Sequence, residues 1–207
     1  MDLSGDKPTE YSYLELFRRI NYVMTKYNFP NICFKPKQIQ CLEYLVLRND
    51  VIGIFPTGFG KSILFQLLPD LSSISTHQEG NGNIVLVVCP LNSLIDDQVT
   101  YLRTLNFPCG VLRLEEKSKG KGAVEHPFSN DGNESTEDND DEEDGSIAEE
   151  ESDIVCSADV LAGKCKLLFG HPEAFLCANG RKLLRSTAYQ NSVVTYVIDE
   201  AHCVQTW

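Results

Sequence analysis

No stretch of the 207 residues approaches the ~20 consecutive apolar side chains that a helix needs to cross a bilayer. Met1 to Glu10 is polar and net acidic, where a secretory leader would be basic and then apolar. Paired cysteines are missing too: the eight, at positions 33, 41, 89, 109, 156, 165, 177 and 203, include no Cys-x-x-Cys and have no histidine at zinc-ligand spacing. That pattern fits reduced thiols in a soluble intracellular protein, and it offers neither a disulfide framework nor a zinc site. Basic charge is absent from one region. Ser129 to Asp153 holds thirteen Asp or Glu and no Lys or Arg, and the formal net charge of −12 is concentrated there. Taking those thirteen from the 30 acidic residues leaves 17 against 18 basic ones, so the acidity does not exclude a polyanionic partner for the rest of the surface. No internal repeat is found.

What is present fits one core, since 207 residues with 42% hydrophobic content suffice for a single α/β domain and not for two. Tyr13, Leu16, Phe17, Ile20, Val23, Met24 and Tyr27 recur at spacings of three and four and predict a helix up to the break at Asn28-Phe29-Pro30. Pro36 is placed to open a second helix that turns Ile39, Leu42, Leu45 and Val46 inward. Beyond it the pattern changes to short apolar runs separated by helical segments. Val51–Phe55, Ile84–Val88, Lys166–Phe169 and Val193–Ile198 read as strands, with Val111–Leu114 a weaker fifth. Strands apolar on both faces predict a mostly parallel sheet with helices on each side, whose ligands bind at the carboxyl ends of the strands. From residue 115 to 153 the alternation stops, and the segment reads as a disordered acidic insertion: a solvated spacer, or an arm for a basic protein partner.

Two motifs carry chemistry. Pro56-Thr57-Gly58-Phe59-Gly60-Lys61-Ser62 stands between an apolar run and a helical one. A Gly-rich turn there lets backbone amides approach phosphate oxygens at a helix N-terminus. Lys61 would sit on the β- and γ-phosphates and Ser62 on Mg²⁺. Asp199-Glu200-Ala201-His202 follows the last strand, where Asp199 can hold the metal and Glu200 can polarise an attacking water.

With these residues in view, the chain resembles the first RecA-like domain of the RecQ family of superfamily-2 helicases, from Phe34 to Trp207 apart from the insertion. Phe34-Lys35-Pro36-Lys37-Gln38 is similar to the motif whose Gln reads the adenine edge, although Lys35 stands where Arg is common. Phe55 to Ser62 resembles the family's phosphate loop, in which a bulky first residue is usual. Cys89 to Gln98 is similar to a motif that touches the nucleic-acid strand, and Gly170-His171-Pro172-Glu173 keeps the Pro-Glu of a later one. Asp199 to Trp207 resembles the metal-binding motif running into an aromatic-rich loop.

The resemblance implies a P-loop RecA-like α/β fold, ATP and Mg²⁺ as cofactors, and DNA as partner, with the nucleus as location. Lys61, Asp199 and Glu200 become the catalytic set. Gln38, Lys35, Thr57, Gly58, Phe59, Gly60, Lys61, Ser62 and His202 become nucleotide-binding, and Ser62 and Asp199 metal-binding. Residues 1–30 are expected to form a helical extension and 31–207 the ATP-binding domain, interrupted at 115–153. The family's second RecA-like domain, which supplies an arginine to the γ-phosphate, is not among these 207 residues, so the expected role is the ATP-binding lobe of a 3′-to-5′ DNA helicase. A non-catalytic binding module acting through the acidic arm and an RNA-dependent relative are the alternatives.

Overall fold

The computed structural model describes residues 13–72, 83–115 and 154–206, with 204–206 described by backbone alone. The expected acidic insertion, beyond Glu115, and Trp207 lie outside the described residues. Helix α1 (Tyr13–Lys26) buries Leu16, Ile20 and Val23, as the spacing predicts. It stops where Asn28 takes a left-handed φ of +52°, a conformation Asn tolerates, and the Phe29 amide closes on the Met24 carbonyl at 2.9 Å. Helix α2 (Pro36–Val46) opens on its proline, whose missing N–H costs nothing at that position, and α3 (Lys61–Leu71) follows the Gly-rich loop.

The remaining elements are β1 (Ile84–Val88), α4 (Asn92–Thr104), β2 (Cys109–Leu114), β3 (Ile154–Val155), α5 (Ala158–Leu161), β4 (Leu167–Gly170), α6 (Pro172–Leu176), α7 (Ala178–Leu184), α8 (Thr187–Gln190), β5 (Val193–Ile198) and a 3₁₀ helix, Ala201–Thr206. The strands form one sheet in the order β3-β2-β4-β1-β5. All pairings are parallel except that of the two-residue β3, which runs antiparallel on the β2 edge.

Central strands turn alternate residues to opposite faces, and both faces are buried. Val85, Val87, Leu167 and Phe169 meet α1 to α4 in one core, whereas Ile84, Leu86, Leu112 and Leu168 meet Val160, Ala174, Phe175, Leu183 and Tyr189 in the other. Each fully buried aliphatic or aromatic side chain contributes on the order of 1.5–3 kcal/mol, so strands apolar on both faces hold two helical layers at once. The parallel order brings the carboxyl ends of β1, β4 and β5 to one rim, where Cys89, His171 and Asp199 follow.

One expected strand is corrected. Val51 to Phe55 forms no strand: among the described residues it makes no backbone–backbone hydrogen bond, and Ile52 and Ile54 are 93% and 91% exposed. A strand is defined by a neighbour as well as by β-prone residues, and β5, the nearest strand, pairs only with β1 among the described residues.

The two-sided core makes a testable demand. Phe169 is 1% exposed and packs edge-on against Phe65 at 6.2 Å between ring centres. Phe169→Ala is expected to cost about 3–5 kcal/mol. Urea unfolding followed by circular dichroism would read this as a lower midpoint with an unchanged slope.

Candidate nucleotide site

The Gly-rich loop is shaped by two backbone positions. Gly58 and Gly60 have φ of +74° and +88°, which side-chain-bearing residues rarely adopt, and the Phe59 amide donates to the Pro56 carbonyl at 3.2 Å. Gly60 is the residue before α3 and brings no side chain to cap that helix. The first backbone amides of an eleven-residue helix, with its positive end, thus face the loop's concavity, an arrangement that attracts an anion.

Lys61, the first residue of α3, is joined here by three side chains from the end of β5 and the 3₁₀ helix after it, Asp199, Glu200 and His202. The Lys61 ammonium lies 3.6 Å from Glu200 Oε1, and His202 Nδ1 lies 3.2 Å from Glu200 Oε2. Asp199 continues the β5 ladder by donating its amide to the Val88 carbonyl at 2.9 Å, and its Oδ1 accepts from the Glu200 amide at 3.0 Å. Glu200 itself takes a φ of +52°, a strained value for a glutamate, which turns its carboxylate toward Lys61. Burial raises the Asp199 carboxyl above its ordinary range, with the Glu200 charge adding to the rise, while the Glu200 amide and Lys61 oppose it.

On the far side of the loop, Gln38 is 3% exposed. Its Oε1 accepts from the Lys35 amide at 2.8 Å, and its Nε2 donates to the carbonyls of Phe59 and Gly60 at 3.1 and 3.2 Å. Lys35 donates to the Phe59 carbonyl at 3.2 Å and lies 4.1 Å from the centre of the Phe59 ring, which stacks on Phe55 at 4.6 Å. Lys35 and Gln38, both assigned to the nucleotide from the sequence, therefore grip the Gly-rich loop, and Thr57 lies exposed upon it.

Sequence reasoning missed two groups. Gln98, taken as the end of a strand-contacting motif, donates to Ser62 Oγ at 3.2 Å and accepts from Gln66 Nε2 at 2.9 Å. Gln66 is 3% exposed, one turn beyond Ser62 on α3. A lone Gln inside the apolar run Ile63 to Leu68 was the available signal. The relay fixes the Ser62 hydroxyl as an acceptor aimed at α4.

The residues fit a magnesium nucleotide. Ser62 and Asp199 are hard oxygen donors, and among the described residues no group of three His, Cys, Asp or Glu forms a cage that would hold a metal without help. Magnesium suits such a sparse set, since it takes one or two protein oxygens and completes its shell with phosphate and water.

Comparisons with known proteins point to helicases. The DEAD/DEAH box helicase family matches residues 35–130. The ATP-dependent DNA helicase hus2/rqh1 of Schizosaccharomyces pombe is 29% identical over 88% of this chain and 11% of its own length. The ATP-dependent DNA helicase Q-like 4B of Arabidopsis thaliana is 30% identical over 89% of this chain and 13% of its own. For the ATP-dependent DNA helicase RecQ of Synechocystis the values are 29%, 84% and 27%. The chain thus spans roughly a ninth to a quarter of these relatives.

Gln38→Ala removes the donor to two loop carbonyls and is expected to cost about 1–3 kcal/mol. Faster amide exchange at Gly58 to Lys61, with β1 and β4 unchanged, would mark the loss as local to the loop.

Proposed function

Because the chain carries a RecQ-like helicase N-terminal domain, we propose that it is the ATP-binding lobe of an ATP-dependent 3′-to-5′ DNA helicase acting in the nucleus. We divide it into a helical extension, residues 1–30, and the ATP-binding domain, residues 31–207, interrupted at 115–153. The observation that carries this reading is the 3.6 Å approach of Lys61 to Glu200, which joins the phosphate loop and the acidic motif at one rim of the sheet.

Each residue then has a role at a stated atom. The amides of Gly58 to Ser62 and the amino end of α3 take the triphosphate, with Lys61 Nζ on its β- and γ-oxygens. Ser62 Oγ and Asp199 would hold Mg²⁺, whose charge offsets that of the phosphate oxygens when bound. When Lys61 turns to the phosphates it releases Glu200, and the freed carboxylate can accept a hydrogen bond from the attacking water. His202, against the other oxygen of Glu200, holds that carboxylate in place. Gln38 and Lys35 border the adenine side, and loading the site would exchange some of their loop contacts for base contacts.

The rim also offers a path for DNA. Cys89 to Gln98 leaves β1 and Gly170 to Glu173 leaves β4, so both motifs that resemble strand-contacting ones open beside the nucleotide. An arginine from a second RecA-like domain is worth ~10³–10⁵ in turnover, so this lobe alone binds nucleotide and hydrolyses it slowly.

Two substitutions separate binding from turnover. Lys61→Ala is expected to abolish binding of a fluorescent Mg·ATP analogue. Glu200→Gln keeps that binding and lowers single-stranded-DNA-stimulated hydrolysis, measured in a form with both lobes, by ~10²–10³. Equal loss of binding in both variants, or full turnover in Glu200→Gln, contradicts the assignment.

A further inference from the structure

Gln66 is the only polar residue in the run Ile63 to Leu68, and at 3% exposed it is buried with its neighbours. Burying an amide is costly unless a partner is supplied, and here the partner comes from another helix. Gln98 of α4 accepts from Gln66 Nε2 at 2.9 Å through its Oε1, and its own Nε2 donates to Ser62 Oγ at 3.2 Å. Ser62 and Gln66 are four residues apart on α3, hence neighbours on one face of it. The planar end of Gln98 thus spans one helical turn, with its acceptor toward the buried amide and its donor toward the hydroxyl. A primary amide carries both functions in one rigid group, whereas a carboxylate lacks the donor and an ammonium lacks the acceptor. The helix that presents Gln98 is itself anchored, since α4 buries Ile95, Val99 and Leu102.

We propose that Gln98 is a positioning residue for the Ser62 hydroxyl and thereby sets the affinity of the nucleotide site for its divalent cation, an inference that rests on the nucleotide reading above. A serine oxygen has two lone pairs and one proton. The Gln98 N–H takes one lone pair and keeps the hydroxyl from closing on a backbone carbonyl of the preceding turn, as an unheld serine in a helix does. The second lone pair stays open to a cation, and the proton points elsewhere. A hydroxyl held in one rotamer beforehand loses little freedom when the cation arrives. Without Gln98 that ordering falls on the cation, which binds more weakly. The amides of Gly58 to Ser62 and the Lys61 ammonium need no help from Gln98, so nucleotide binding without metal is indifferent to it.

The experiment titrates Mn²⁺ into the protein with a non-hydrolysable ATP analogue and reads bound Mn²⁺ by electron paramagnetic resonance. Gln98→Met keeps the length of the side chain and removes both polar atoms. It should weaken Mn²⁺ binding about tenfold, the lower end of what an outer partner of a metal ligand is worth, and leave affinity for the analogue in EDTA unchanged. In a Ser62→Ala background the same substitution should add no further loss of Mn²⁺ affinity, whereas a role confined to packing α3 on α4 would persist there. Unchanged or tighter Mn²⁺ binding in Gln98→Met, or an equal loss in both backgrounds, overturns the proposal. A second measurement needs no variant: on adding Mn²⁺ and the analogue to the unaltered protein, the Gln98 side-chain amide signals should broaden together with the Ser62 backbone amide. A Gln98 side chain that stays sharp beside a broadened Ser62 overturns the proposal alone. A Ser62 amide that stays sharp overturns the nucleotide reading and this proposal with it.

Discussion

The site depends on one constraint: the end of β5 and the start of α3 must lie within a side chain's reach. The Lys61–Glu200 contact records that constraint without enforcing it. Both partners are about a third and a quarter exposed, and a pair so open to water contributes roughly 0–1 kcal/mol. Packing enforces it. α3 buries Ile63, Leu64, Phe65, Leu67, Leu68 and Leu71 in the core that also takes Val85, Val87, Leu167 and Phe169, and β1 carries β5 in fixed register from Val85↔Thr195 to Val88↔Ile198. Several buried side chains at ~1.5–3 kcal/mol each outweigh one screened ion pair, so Lys61 and Glu200 are placed by the scaffold.

Around that pairing, neutral amides replace charges wherever the loop is buried. Gln38 binds two loop carbonyls, and the Gln66–Gln98 relay ends on Ser62. Buried amides that satisfy their own donors and acceptors fix geometry without the several-kcal/mol desolvation cost of buried ions. The consequence is a phosphate loop held from α2 on one side and from α4 on the other. Because α4 also begins the segment that leaves β1 toward the proposed DNA path, a shift in α4 reaches Ser62 through one side chain.

Much of this was legible in the sequence, for identifiable reasons. Ile84–Val88 is apolar at every position, the run of a strand covered on both faces, whereas Val193–Ile198 is a strand whose Tyr196 and Ile198 stay exposed. Gly58 and Gly60 sit where φ is positive, and Asp199 and Glu200 follow the sheet strand β5, so the motifs marked their own structural context. Val51–Phe55 misled because composition reports a residue's liking for a pleated surface and says nothing of whether a neighbour is present to pair with it. β3, two residues long, is too short for any period. The grip of Lys35 and Gln38 on Phe59 is a tertiary contact between helix and loop, which no local spacing encodes.

The central claim is spatial: the phosphate loop and the Asp199-Glu200 pair serve one metal-bound triphosphate. Paramagnetic relaxation tests it directly, with Mn²⁺ and a non-hydrolysable ATP analogue added to the isotopically labelled protein. The account predicts that the amide signals of Gly60 to Ser62 and those of Asp199 and Glu200 broaden together, at the same low stoichiometry, while those of α7 on the opposite core stay sharp. Broadening confined to one of the two segments, or to neither, would contradict it.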